Sequence, residues 1–166
     1  MFAAIIRVWA FVLLTLVGLQ LIPLILALGY GEISTSQSFM AAMGMEIFLA
    51  IAILLAVARR HANPMPGEGI FFTALIFTTF PVFLGLPFVI EKQIGFAEGY
   101  TEGMSAITTS GGTLLQFERL NIPLKLWRAI CDWFGGTLFL LVALVVLQPK
   151  NNNSFTHSSA YPSWPY

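Results

Sequence analysis

The chain has 166 residues and a mass of 18.3 kDa, which is the size of one compact unit. Hydrophobic residues make up 57% and charged residues 10%, with mean hydropathy +0.82, against about 45–50% apolar and about 25% charged in soluble domains, so the composition is that of an integral membrane protein. Eight Lys and Arg balance eight Asp and Glu, and a net charge of zero leaves no basic footprint for a nucleic-acid partner.

Residues 5–28 form an apolar run whose one charge is Arg7. At 1.5 Å per residue it reaches about 36 Å, enough to cross a hydrocarbon core of about 30 Å, and it is longer than the 7–15 apolar residues of a signal peptide. A polar break over 29–36 precedes a second predicted span, 39–58, which carries Glu46 and ends at Arg59, Arg60 and His61. Two prolines and two glycines within 63–69 predict a turn, and the uncharged stretch 70–90 predicts the third span. Between 91 and 120 the chain is too polar to face lipid. Residues 100–107 there have the composition of a short helix, followed by Thr108, Thr109, Ser110, Gly111, Gly112 and Thr113. Irregular backbone at membrane depth survives only where protein or a water-filled cavity surrounds it, so a re-entrant helix and loop is expected. A fourth span begins near Ile122, carries Lys125, Arg128 and Asp132 early, and is uncharged over 133–147. The polar tail 150–166 has no period to bury and is expected to be extended or disordered; its Asn152 sequon is too common a pattern to carry weight.

The expected fold is therefore all-α, with four transmembrane helices, one re-entrant pore helix and a filter-like loop. Its three parts are two leading helices (1–62), a helix–loop–helix unit (63–149) and the tail (150–166). With the amino terminus cytoplasmic, Arg7, Arg59, Arg60 and Lys150 fall inside, and Glu32, Glu91, Glu98, Glu102 and Glu118 outside, as the positive-inside rule prefers; Lys92, Arg119, Lys125 and Arg128 go against it. Four spans return the carboxyl terminus to the cytoplasm. Cys131, the one cysteine, closes no internal disulfide, and His61 and His157 are too far apart in sequence for a zinc cluster.

A helix, a short helix, a Thr/Gly-rich loop and a second helix, in that order, suit a cation filter, because backbone carbonyls that replace a hydration shell must be held from behind. Gly111 and Gly112 permit unusual dihedrals without a Cβ penalty, and Thr108, Thr109, Ser110 and Thr113 bring hydroxyls that line a pore or bond to the loop. Arg128 and Asp132, four apart, share a helical face and are expected to pair. Glu46 should face protein or lie near the interface. Glu98 and Glu102 read as a solvated entrance, Trp127, Trp133 and Tyr100 as interfacial anchors, and Gly135 and Gly136 as a surface for close helix packing.

At these residues the sequence resembles the Trk/Ktr/HKT superfamily of potassium transporters, over nearly the whole chain to about Gln148. Leu86, Pro87 and Phe88 look like the motif near the outer end of the opening helix of a TrkH-type first repeat. Residues 96–107 look like its pore helix, and 108–113 are similar to its first filter, with Gly111 at the filter glycine. Trp127 and Arg128, then Trp133, Phe134, Gly135 and Gly136, look like the start of the repeat's second helix. Ser110 and Gly112 stand where the family has a threonine and commonly an alanine.

The resemblance implies two leading helices and one pore repeat, with potassium as the permeant ion and no cofactor. Three of the family's four repeats are absent from these 166 residues, which reads as a truncated subunit, and one loop supplies one quarter of a roughly fourfold filter. Two readings follow: a subunit for passive potassium permeation within a four-loop assembly of copies or other chains, or a transport-incompetent structural subunit of a larger membrane complex. Either places it in a bacterial inner membrane beside lipid and other membrane subunits. An enzyme is not expected, because no nucleophile, base and orienter come together in the sequence.

Overall fold

The computed structural model describes residues 3–59, 68–91 and 93–147; Arg60, His61, Lys92, Lys150, His157 and the tail 150–166 lie outside them. Five α-helices follow in order: α1 (Ala3–Gly29), α2 (Ile33–Val57), α3 (Glu68–Ile90), the short α4 (Phe96–Ile107) and α5 (Ile122–Leu147). A single 3-10 turn, Phe117–Arg119, precedes α5, and there is no strand among the described residues. Helices α1, α2, α3 and α5 are each long and apolar enough to cross a membrane.

Helix α1 ends in a Schellman turn. Gly31 takes φ +71°, Glu32 N donates to Ala27 O at 3.0 Å, and Gly31 N donates to Leu28 O at 3.2 Å, so the last carbonyls are satisfied as the chain reverses. Helix α2 then starts six residues earlier than its apolar run. Thr35, Ser36 and Ser38 are buried inside it, because the Thr35 and Ser38 hydroxyls donate to the Glu91 carboxylate at 3.1 and 2.6 Å and Ser36 donates to Glu32 O at 2.9 Å. Tertiary partners thus turn what sequence reads as a polar break into helix.

Glu91 closes α3, and Asn121, which donates to Thr35 Oγ1 at 2.5 Å, opens α5. The start of α2, the end of α3 and the start of α5 therefore meet at one end of the bundle. At the other end Arg7 Nη2 donates to Val57 O at 2.9 Å, placing a cation at the carboxyl terminus of α2, where the helix dipole favours it. Between the ends, Trp9 Nε1 of α1 donates to Thr79 Oγ1 of α3 at 2.9 Å and packs edge-on against Phe80 and Phe83.

Helix α4 begins at Phe96, where the family resemblance puts the short helix, four residues before the start that composition alone suggests. Glu98 Oε2 accepts from Gly95 N at 2.8 Å, the reciprocal half of a capping box, and this adds a turn. It packs antiparallel on α3: a Cβ on Gly99 would lie against Gly85 and Val89, and one on Gly103 would overlap the Pro81 carbonyl. Each step of one turn forward along α4 is one turn back along α3. Farther on, Gly135 of α5 meets Ala106 and Ile107 so closely that a Cβ there would overlap the Ala106 carbonyl. Gly135 lies about 20 Å into α5 at 1.5 Å per residue, so α4 ends partway along the bundle. The chain then returns to Asn121 at the end from which it departed.

The centre is filled by Phe39, Phe80, Phe88, Leu84, Ile107, Leu124 and Trp127, all but inaccessible. Trp127 is a core residue and not the interfacial anchor its type suggests: its indole donates to Leu84 O at 3.1 Å, and its ring stands edge-on to Phe39. Trp133 is 66% exposed on the outside of α5, and Tyr100 is half-buried with its hydroxyl 3.4 Å from Thr78 O.

The glycine contacts generate a contrast. Gly103→Ala should destabilise the fold by about 1–3 kcal/mol through overpacking against Pro81. Gly44→Ala, where an added Cβ meets nothing within 4 Å, should be neutral or stabilising by up to about 1 kcal/mol. Thermal unfolding in detergent, followed by circular dichroism, reads both; equal midpoints for the two variants would refute the close approach of α3 and α4.

Candidate functional site

The loop after α4 is positioned first by how that helix stops. Ser110 N donates to Ser105 O at 3.1 Å and Thr109 N to Ala106 O at 3.2 Å, the same hydrogen-bond pattern that ends α1. The residue in the left-handed position here is Thr109, with φ +54°. A β-branched side chain in that region is strained, of order 1–3 kcal/mol, and such strain persists only where surrounding contacts over-determine the backbone.

Next to Thr109 the Thr108 hydroxyl donates to Met104 O at 2.7 Å and the Ser110 hydroxyl lies 3.1 Å from Ser105 Oγ, and farther along, the loop is held by Glu102. It lies on the α4 face that also carries Gly99, Gly103 and Ala106, and it is 2% exposed. Its Oε1 accepts from Thr113 Oγ1 at 2.9 Å, from Leu115 N at 3.2 Å and from Leu114 N. Its Oε2 accepts from Arg128 Nε of α5 at 2.9 Å. One carboxylate thereby joins α4, the descending loop and α5. Arg128 is itself buried, bonds Asp132 one turn along α5, and reaches Gly112 O with Nη2 at 3.2 Å. Ser105 Oγ donates to the same Gly112 carbonyl at 2.5 Å.

Of the six loop residues singled out in the sequence, Thr108, Thr109, Ser110, Gly111, Gly112 and Thr113 are all exposed in this chain. Gly111 has φ +73°, the left-handed region that favours glycine. Gly112 does not adopt it; Thr109 does instead. The Thr108 hydroxyl turns back to Met104 O at 2.7 Å and the Thr113 hydroxyl goes to Glu102. Gly135 makes the close contact with the end of α4, while Gly136 faces only the Thr109 methyl, 3.4 Å from where its Cβ would lie.

Glu102 is the residue that composition and charge misplace. It is no solvated partner of Glu98, which is exposed and engaged in capping α4; it is the buried counter-charge of Arg128. The signal was available in spacing, since Gly99, Glu102, Gly103 and Ala106 recur at the three- and four-residue steps of one helix face. Arg128 likewise does not act as a loop charge in the orientation rule, being neutralised within the protein. Among the described residues no three His, Cys, Asp or Glu side chains gather as a metal site.

Four long apolar helices with a charge-paired short helix and loop between the third and last make this a multi-pass integral membrane protein. No family model matches the chain. Curated relatives do. The Trk system potassium uptake protein TrkI of Halomonas elongata is 35% identical over 109 residues, covering 60% of this chain and 22% of that protein. The Trk system potassium uptake proteins TrkH of Salmonella typhimurium and of Escherichia coli are 27% and 26% identical over 155 residues, each covering 88% of this chain and 31% of the relative. The chain is thus similar in part to Trk system potassium uptake proteins, and it spans less than a third of the length of the curated relatives it matches.

The two carboxylates flanking Arg128 should differ sharply on removal. Glu102→Ala leaves a buried guanidinium short of its main partner and should cost about 3–5 kcal/mol. Asp132, whose side chain is 50% exposed, should cost no more than about 1 kcal/mol when changed to Ala. Detergent melts, together with protease sensitivity of the loop 108–116, measure this. A larger loss from Asp132→Ala than from Glu102→Ala would contradict the site as described.

Proposed function

We propose that this chain is a membrane subunit carrying one pore repeat of a potassium pathway, in which residues 108–113 form one wall of a carbonyl filter. Residues 1–62 are the leading helices, 63–149 the repeat and 150–166 a polar tail. In this reading α4 is a pore helix that re-enters the membrane and stops at mid-depth. The observation that carries it is the loop tied from behind to Glu102, Arg128 and Ser105 while its front, Thr108 to Thr113, is exposed. A carbonyl filter needs that arrangement, because oxygens that replace a hydration shell must be held against the pull of the ion.

The Gly112 carbonyl is committed inward, so the carbonyls of Thr108 to Gly111 are the ones to face potassium. The strained backbone at Thr109 fits the same role, since strain held by surrounding contacts gathers at functional sites. One loop provides about a quarter of the ligands, so permeation, passive and down the electrochemical gradient, requires three further loops from copies or other chains. The relatives' names, which are those of potassium uptake proteins, support the ion; that the relatives are bacterial supports an inner-membrane location. Orientation follows the positive-inside rule, with both termini cytoplasmic and Arg7 at the inner end of α1.

Gly111→Ala places a Cβ on a left-handed backbone at roughly 1–2 kcal/mol, a factor of about 5–30 in the population of the filter geometry. Rubidium uptake in cells lacking other potassium systems should fall by that factor with expression unchanged. Equal uptake by variant and parent, or a native assembly holding one copy among unrelated subunits with no potassium at the loop, would overturn the filter and favour a structural subunit. Labelling of cysteines introduced at Glu32 and Glu98 should report the outer side, and at Asn63 and Asn151 the inner side; opposite labelling of Glu32 and Glu98 would overturn the topology.

A further inference from the structure

Away from the loop, α1 and α2 bury a second polar pair, Gln20 and Glu46, both fully inaccessible. Gln20 Nε2 donates to Glu46 Oε1 at 2.7 Å. The other two oxygens, Gln20 Oε1 and Glu46 Oε2, are the buried side-chain polar atoms left without a partner among the described residues. The pair sits deep: Gln20 is nine residues from the end of α1 and Glu46 thirteen from the start of α2, roughly 14 and 20 Å along their helices.

Two acceptors face a shortage of one donor. An ionised carboxylate accepts only, whereas a protonated one also donates once. An unpaired charge at such depth is also expensive, and buried charges survive by pairing or by neutralisation. The cation nearest in kind, Arg128 on α5, is engaged by Glu102 and Asp132. Cys131, one turn along α5 from Arg128, is a buried free thiol and brings no positive charge. Arg7, on α1 itself, donates to Val57 O at the far end of the hairpin. Glu32 and Glu91 stand at the opposite end and are acidic.

We infer that Glu46 is a proton-binding site, and that its protonated carboxyl forms a neutral amide–acid pair with Gln20. The Oε2 hydroxyl donates to Gln20 Oε1 while Gln20 Nε2 donates to Glu46 Oε1. One proton taken from solvent satisfies both leftover oxygens, removes the charge and sets the register of α1 against α2. This pair is independent of the filter reading and stands whether or not the loop conducts.

Infrared difference spectroscopy of the full chain in detergent at neutral pH, parent against Glu46→Gln, tests it. The parent should show the carbonyl stretch of a protonated, hydrogen-bonded carboxylic acid, shifted in deuterated water and absent from Glu46→Gln, whose amide still makes both bonds and should keep the fold. Gln20→Leu should move that band to the position of a free acid, which identifies the carboxyl even without the first variant. A carboxylate band at Glu46 in the parent overturns the inference, as does one that moves when sodium is exchanged for potassium, which would assign the two oxygens to a metal cation.

Discussion

Moving a carboxylate and a guanidinium out of water costs several kcal/mol per ion, and their attraction compensates only when the remaining donors and acceptors are also filled. Glu102 and Arg128 meet that condition. Both carboxylate oxygens are occupied, one by three donors from the loop and the other by the arginine Nε, and each of the two terminal guanidinium nitrogens makes one further bond, to Asp132 and to the Gly112 carbonyl. The pair therefore does more than neutralise. It makes the geometry of an irregular loop depend on the relative placement of two helices, so that α4, the loop and α5 are ordered together.

That placement is secured by absence of side chain. Gly85 and Gly99, Gly103 and Pro81, and Gly135 and Ala106 bring backbones into contact on both sides of α4. In a membrane, where lipid is as apolar as leucine, close backbone approach supplies the dispersion contact that holds helices together. The same approach brings Glu102 within 2.9 Å of Arg128. A methyl group at Gly135 would separate α5 from α4 and lengthen the ionic contact between them, so packing and charge pairing at that seam rise and fall together.

The remaining polar groups follow one constraint, that buried donors and acceptors find partners inside the protein. At one end Glu91 gathers hydroxyls of Thr35 and Ser38, with Asn121 adding the start of α5. At the other Arg7 donates to the Val57 carbonyl that ends α2. Trp9 and Trp127, large apolar bodies with one donor each, spend that donor on Thr79 and on the Leu84 carbonyl. These are the contacts that let a protein with few charges place its helices in one register.

The four spans were legible in the sequence because hydrophobicity at span length is a local property, and lipid demands it of every residue in the run. The short helix and its glycine-rich sequel were legible too, since polarity between two spans and a Thr/Gly string need no partner to be read. Helix ends were less legible from composition: α2 begins at Ile33 because Glu91, 58 residues on, accepts its hydroxyls, and α4 begins at Phe96, as the family motif implied and hydropathy did not, because Glu98 caps it. Only the tertiary structure decided which acidic residue is solvated and which is buried, that Trp127 lies in the core, and that the left-handed backbone falls at Thr109 and not at Gly112. The reason is physical: burial, charge pairing and strain are properties of what a residue meets across the bundle, and a sequence lists neighbours along the chain.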